Sequence, residues 1–150
     1  MRALERAKIT YTPHYYDASD GLIDGVSVAK KVNLPSEAVF KTLVTRGHGG
    51  SVLVFVIPVQ KELDLKKAAR AAAVKSVEML RQSELLPMTG YVHGGCSPIG
   101  MKKRFPTFVD MSAGDLQTMA VSAGRIGAQV ELAPGDLLRA ADGSLADLCV

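Results

Sequence analysis

The chain has 150 residues, 47% of them hydrophobic and 22% charged, with a formal net charge of +3. That length and balance describe one globular domain, residues 1–150, able to bury a core without staples, and they exclude a disordered chain. Only two cysteines are present, Cys96 and Cys149, without metal-type spacing, which excludes a disulfide framework and a cysteine-based zinc site and fits a reducing compartment.

Residues 2–8 read as a short opening helix. The stretch MRALERAKITYTPHYY lacks the long apolar run of a secretory leader, and no later run reaches the length of a membrane span, so a cytoplasmic protein with no membrane partner is expected. TYTPHYY is extended, because Pro13 disfavours helix and tyrosine suits a strand. Asp24 is placed to cap a helix through GVSVAKKV, and Asn33 with Pro35 to stop it. VFKTLVTRG reads as a strand with Phe40, Thr42 and Val44 on one face and Lys41, Leu43 and Thr45 on the other. SVLVFVIPV is a second strand, so apolar that both faces should be covered, and RGHGG between the two is a hairpin turn. DLKKAARAAAV is the clearest helix, with Asp64 as its N-cap. Ser83 is a candidate cap for another short helix. PTFVDM and TMAVSAG read as strands, and AQVELA alternates, with Val130 and Leu132 opposite Gln129 and Glu131. PGDLLRAA closes the chain as a helix with Pro134 near its start. Strands and helices mix without strict βαβ alternation, which predicts an α+β domain with a mixed, barrel-like sheet flanked by helices.

Several residues carry candidate chemistry. Lys41 stands either on a solvated strand face or on a pocket wall, where its ammonium would hold a carboxylate, a phosphate or a developing oxyanion. In GGCSPIG the glycines let backbone N–H groups approach a ligand and form an anion-binding nest, while Ser97 adds a hydroxyl and Pro98 stiffens the turn. The run matches neither the P-loop nor the dinucleotide fingerprint, so a structural turn and a ligand cradle both stay open. His93 and Cys96 suggest a base and a thiol nucleophile. In an extended segment they would point to opposite faces, and a semi-buried cysteine is the simpler reading. His14 and His48 are isolated, no two histidines have helical metal-ligand spacing, and Cys149 has no visible role; no metal is expected. Lys102, Lys103 and Arg104 are either a solvated turn or contacts for a phosphate backbone. Lys66, Lys67 and Arg70 either extend that surface or form the wet side of an amphipathic helix. The charge permits an anionic partner without demanding one.

Five motifs occur in order from about residue 15 to the end: VFKTLVTRG, ELDLKKAAR, TGYVHGGCSPIGMKKRFPTFVD, VSAGRIG and VELAPGDLL. Together they resemble the bacterial Cys-tRNA(Pro) deacylase family, the YbaK-type aminoacyl-tRNA editing domain, which is related to the editing domain of bacterial prolyl-tRNA synthetase. The resemblance implies a compact α+β domain around a mixed, barrel-like sheet. It implies a hydrolase that removes cysteine mistakenly attached to proline tRNA, captured transiently beside prolyl-tRNA synthetase, with no metal or organic cofactor. Lys41 matches the lysine of the family's F-K-T motif, which would anchor the terminal ribose and phosphate or polarise the ester. Gly94 and Gly95 match the G-G-x-S-P-x-G loop, whose backbone would hold the aminoacyl carbonyl; Ser97, Pro98 and Gly100 would shape that loop. Tyr16 matches an aromatic near the family's pocket, Ser122 lies in its V-S-x-G strand end, and Lys102, Lys103 and Arg104 would meet the tRNA. The implied mechanism is substrate-assisted: the thiol of the bound cysteine attacks its own ester, so Cys96 is not required. Rival readings are editing of Ala-tRNA(Pro) or Ser-tRNA, a non-catalytic module that binds tRNA or a synthetase, and a hydrolase that uses the Cys96 thiol.

Overall fold

The computed structural model describes all residues 1–150, and its eight strands form two sheets. In the smaller, β7 (Ala128–Leu132) lies between β1 (Thr12–Tyr15) and β6 (Met119–Ser122), antiparallel to both. The larger contains β2 (Phe40–Gly47), β3 (Val52–Pro58), β4 (Val77–Met79), β5 (Thr107–Asp110) and β8 (Gly143–Ala146), in the order β4-β2-β3-β5-β8. Its β4–β2 and β2–β3 pairs are antiparallel and its β3–β5 and β5–β8 pairs parallel, so this is the mixed sheet of an α+β fold. The sheets do not close into a barrel. A single parallel bridge, Val39 to Ala120, joins them.

The apolar run of β3 explains the layering. All of its residues are buried. Val54 and Val56 face Val109, Met119, Val121, Val130, Leu132 and Leu137 in the core between the sheets. Leu53, Phe55 and Ile57 face the opposite way, onto Ala68, Ala69 and Leu148. Each such aliphatic or aromatic side chain contributes about 1.5–3 kcal/mol relative to exposure, so β3 anchors both layers.

Five helices surround the sheets: α1 (Arg2–Arg6), α2 (Gly25–Lys31), α3 (Leu65–Ala71), α4 (Gln82–Thr89) and α5 (Pro134–Ala141). Asp24 accepts from Ser27 N–H and Asp64 from Lys66 and Lys67 N–H, the caps their sequence positions predict. Asn33 takes a left-handed φ of 57° just past α2, which ends it where expected. Two helices are shorter than their patterns. Lys8 and Ala73 enter the same left-handed region, so α1 stops at Arg6 and α3 at Ala71. Ser83 caps nothing: the N-cap position of α4 is Arg81, and Ser83 lies inside the helix. No helix is long and apolar enough to cross a membrane.

Candidate functional site

The two sheets part company immediately after the Val39–Ala120 bridge. On that side β2 has no further backbone partner until Val44 C=O accepts from Leu80 N–H at 3.1 Å and the pairing with β4 begins at Thr45. The gap is a cavity of about 180 Å³, walled by Phe40, Lys41, Thr42 and Leu43 of β2 and by Ser122 and Gln129 of β6 and β7. Ile23, Gly25 and Val28 close one side; Leu85, His93, Gly94 and Cys96 close another. Drug-sized ligand pockets run to about 300–1,000 Å³, so this one suits a single small side chain.

Its polar groups are largely uncommitted. Lys41 forms no ion pair. Thr42 Oγ1 and Gln129 Oε1 are buried without a hydrogen-bond partner, although a buried polar atom is ordinarily paired. The Gly94 and Cys96 N–H groups donate to no backbone carbonyl. Ser122 Oγ accepts from Gly124 N–H at 3.2 Å, which leaves its own proton available. At the rim, hydrogen bonds from the Ser27 side chain and N–H hold the Asp24 carboxyl below the usual range.

Cys96 and His93 do border the same cavity. The expectation that they face apart fails because Gly95 N–H returns to Val92 C=O at 3.0 Å, so the segment is a turn rather than a strand. Burial pushes the Cys96 thiol up to about 12, with only partial opposition from the Thr89 hydroxyl, so it stays protonated at neutral pH. No group of three or more His, Cys, Asp or Glu side chains comes together to hold a metal ion.

The glycine pair divides its labour. Gly94 borders the cavity at φ +86°, a conformation that other residues adopt with strain. Gly95 is buried under the β6–β7 turn, where a Cβ would stand 2.9 Å from Ile126 N and 3.0 Å from the Arg125 carbonyl carbon. Ser97, Pro98 and Gly100 do not line the cavity. Ser97 Oγ accepts from Ile99 N–H at 3.1 Å, Pro98 is buried, and Gly100 lies against the Tyr91 hydroxyl, which donates to Ile99 C=O at 2.6 Å. Tyr16 lies outside as well, with its N–H on Gly127 C=O and the Lys31 ammonium 5.8 Å from its ring centre.

Lys102, Lys103 and Arg104 are exposed on a loop whose neighbours Met101 and Phe105 pack into the inter-sheet core. Lys66, Lys67 and Arg70 are on α3, across the larger sheet, and do not extend that surface. Lys67 is instead tied to Asp147 at 3.1 Å and to Cys149 C=O at 2.7 Å. Thr42 and Gln129 are the site residues that sequence reasoning missed. Their only signal was a polar side chain at an alternate strand position, which reads equally well as a solvated one.

Residues 24–140 match the aminoacyl-tRNA editing domain family. A relative from Enterococcus faecalis, named as a proposed Cys-tRNA(Pro)/Cys-tRNA(Cys) deacylase, is 43% identical over 148 residues, covering 99% of this chain and 90% of the relative. The crystal structure of a proposed trans-editing enzyme for prolyl-tRNA synthetase superposes with a TM-score of 0.85 at 24% identity, over 99% of this chain and 93% of that one. A hypothetical protein, APE2540, superposes with a TM-score of 0.89 at 22% identity, over 99% and 97% of the two chains. At these identities the two structures report the shared fold.

Proposed function

The chain belongs to the aminoacyl-tRNA editing domain family, and we propose that within it this protein deacylates tRNA(Pro) mischarged with cysteine. One observation carries the reading: a small cavity is lined by Lys41, which forms no ion pair, and by Gly94 and Cys96, whose N–H groups donate to no backbone carbonyl, while its one thiol stays protonated. Such a site can bind an ester and stabilise the charge that develops on its carbonyl. The attacking atom must come from elsewhere, and a cysteinyl ester carries its own.

The aminoacyl carbonyl sits against the Gly94 and Cys96 N–H groups. Lys41 holds the terminal ribose and phosphate or shares the carbonyl's developing charge. Thr42 Oγ1 and Gln129 Oε1 accept from the donors of the amino acid, its α-ammonium foremost. The substrate sulfur then attacks its own carbonyl carbon. A C–S bond forms and the ester C–O bond breaks. The electron pair leaves on the ribose oxygen, which ends with the proton the thiol gave up. The products are free tRNA and a cyclic thiolactone that water opens to cysteine. The protein's contribution is to hold the thiol and the carbonyl of this one substrate in a reactive pose, plus about 2.7–4 kcal/mol for an effective oxyanion donor. Ser97, Pro98 and Gly100 hold the loop's shape, and Tyr16 and Gly95 support it from behind.

Such an activity answers a selectivity problem. Cysteine and proline are close in size, so an apolar synthetase pocket separates them poorly and a second site must remove the error. The same chemistry acts on Cys-tRNA(Cys), the other substrate in the Enterococcus relative's name, so the choice of tRNA falls to contacts outside the cavity. Lys102, Lys103 and Arg104 are candidates for phosphate contact. A net charge of +3 is small for tight tRNA binding, which favours transient capture beside prolyl-tRNA synthetase.

The test is a panel of Cys-, Ala- and Ser-tRNA(Pro) with the wild type and Lys41→Ala. Cysteine release by the wild type, reduced about a hundredfold or more in Lys41→Ala, is expected. No release above background by the wild type would sink the function, and full activity in Lys41→Ala would sink the lysine's role alone.

A further inference from the structure

Tyr15 ends β1 with 61% of its surface exposed, and every other tyrosine and phenylalanine is buried or half-buried. In a protein with so few aromatics, leaving one on the surface forgoes burial that the core could have used. The Arg125 guanidinium, also exposed, lies 5.6 Å from the Tyr15 ring centre. Arg125 has no carboxylate partner. The exposed tyrosine and the arginine without a carboxylate partner thus make one cationic, aromatic surface.

Its position ties it to the cavity. Arg125 belongs to the β6–β7 turn, and the backbone of Arg125 and Ile126 packs directly on Gly95. Gly94, the next residue, borders the cavity. On its other side the turn receives the Tyr16 N–H at Gly127 C=O, which fixes Tyr15 beside it. One layer of backbone therefore separates the Tyr15–Arg125 surface from the loop that faces the ester. Single-stranded RNA is recognised by stacking bases on aromatic rings and arginine planes, and the phosphates that accompany them favour a cation.

We infer that Tyr15 and Arg125 form a stacking platform for a nucleobase of the single-stranded 3′ end of tRNA, beside the pocket that takes its amino acid. This rests on the editing reading above and adds where the RNA end is held. A plain surface cation–π contact, which would only steady the turn, is the competing account.

Two measurements decide between them, with Tyr15→Ala, Tyr15→Phe and Arg125→Ala. The first uses a short single-stranded RNA ending in C-C-2-aminopurine, a purine whose fluorescence falls on stacking, titrated to millimolar concentration. The wild type and Tyr15→Phe should quench it, and Tyr15→Ala should not. The second measures deacylation of Cys-tRNA(Pro) beside that of cysteine methyl ester, which has no base. Tyr15→Ala should raise KM for the tRNA about five- to a hundredfold, the range of alanine substitutions at stacking aromatics. Tyr15→Phe should restore it, Arg125→Ala should raise KM in the same direction, and the methyl ester rate should stay within twofold. Absent quenching by the wild type, or an unchanged KM in Tyr15→Ala, would overturn the platform. So would an equal loss on the methyl ester, which would mark the change as structural. If the wild type deacylates no tRNA, the editing reading fails, while the quenching experiment still decides the platform.

Discussion

Gly95→Ala adds one methyl group at the junction on which the pocket loop rests. The new Cβ would stand 2.9 Å from Ile126 N, 3.0 Å from the Arg125 carbonyl carbon and 3.1 Å from its Cα. Comfortable carbon contacts lie at about 3.5–4.0 Å, so loop and turn must separate by roughly half to one ångström. All three obstructing atoms are backbone, so no side-chain rotation relieves the contact. Overpacking of this kind costs about 1–3 kcal/mol, which for a chain of this length lowers Tm by roughly 2–12 °C. Gly94 and Cys96 flank the substitution and move with it. A displacement near 1 Å costs up to about a hundredfold in rate. Gly135→Ala is the control: it lies in α5 with no atom within 4 Å of a new Cβ, and should gain up to about 0.5–1 kcal/mol from helix propensity. Thermal melts and single-turnover deacylation read both effects. If Gly95→Ala melts and reacts like the wild type, the loop is not held by this contact and the account of Gly95 is wrong.

Cys96→Ala should keep deacylation within about threefold, because a buried thiol pushed up to about 12 is a poor nucleophile at neutral pH; a hundredfold loss would restore it to the mechanism. Lys31 Nζ donates to Asp17 C=O at 2.8 Å, Asp20 Oδ1 at 2.7 Å and Leu22 C=O at 3.0 Å, pinning the loop that brings Ile23 to the cavity. Lys31→Met should speed amide exchange across residues 17–23 and raise KM by about three- to tenfold, whereas wild-type protection there would contradict the assignment. Asp110 is buried, which alone would push its carboxyl up, yet hydrogen bonds from Ser112 and Leu148 N–H outweigh burial and hold it below the usual range. A lowered folded-state pKa stabilises above the unfolded value of about 3.9, and the gain is lost as pH falls through the folded one. Asp110→Asn should therefore cost about 1–3 kcal/mol at pH 7 and less at pH 3 by urea unfolding; a difference independent of pH would refute this.

Local chemistry made much of the fold readable. Asp24, Asp64, Asn33 and Pro134 announce helix ends because their side chains or fixed φ act within three residues, and β3 announces itself by continuous apolarity. The strands β4 and β8 have only 3 and 4 residues, with mostly exposed side chains, and exist because a neighbour pairs with them. The cavity depends on longer-range geometry still. Alternation places Lys41 on a face of β2 but does not reveal that β2 and β6 diverge after one bridge. The same alternation marks Gln129 as outward, yet it is 6% exposed because the cavity covers that part of β7. Gly94 and Gly95 look equivalent as letters. One turns the chain at the cavity, and the other makes room for a backbone that arrives from residues 125 and 126.

In the proposed mechanism the substrate's own sulfur does the chemistry, inside a pocket that supplies no ionised nucleophile. The most direct measurement compares single-turnover deacylation of Cys-tRNA(Pro) and Ser-tRNA(Pro), which differ by sulfur for oxygen. A free thiol near pKa 8.5 is a few per cent thiolate at neutral pH, whereas a hydroxyl is not ionised. The cysteinyl ester should be cleaved at least about a hundredfold faster. Equal rates for the two esters would contradict the mechanism.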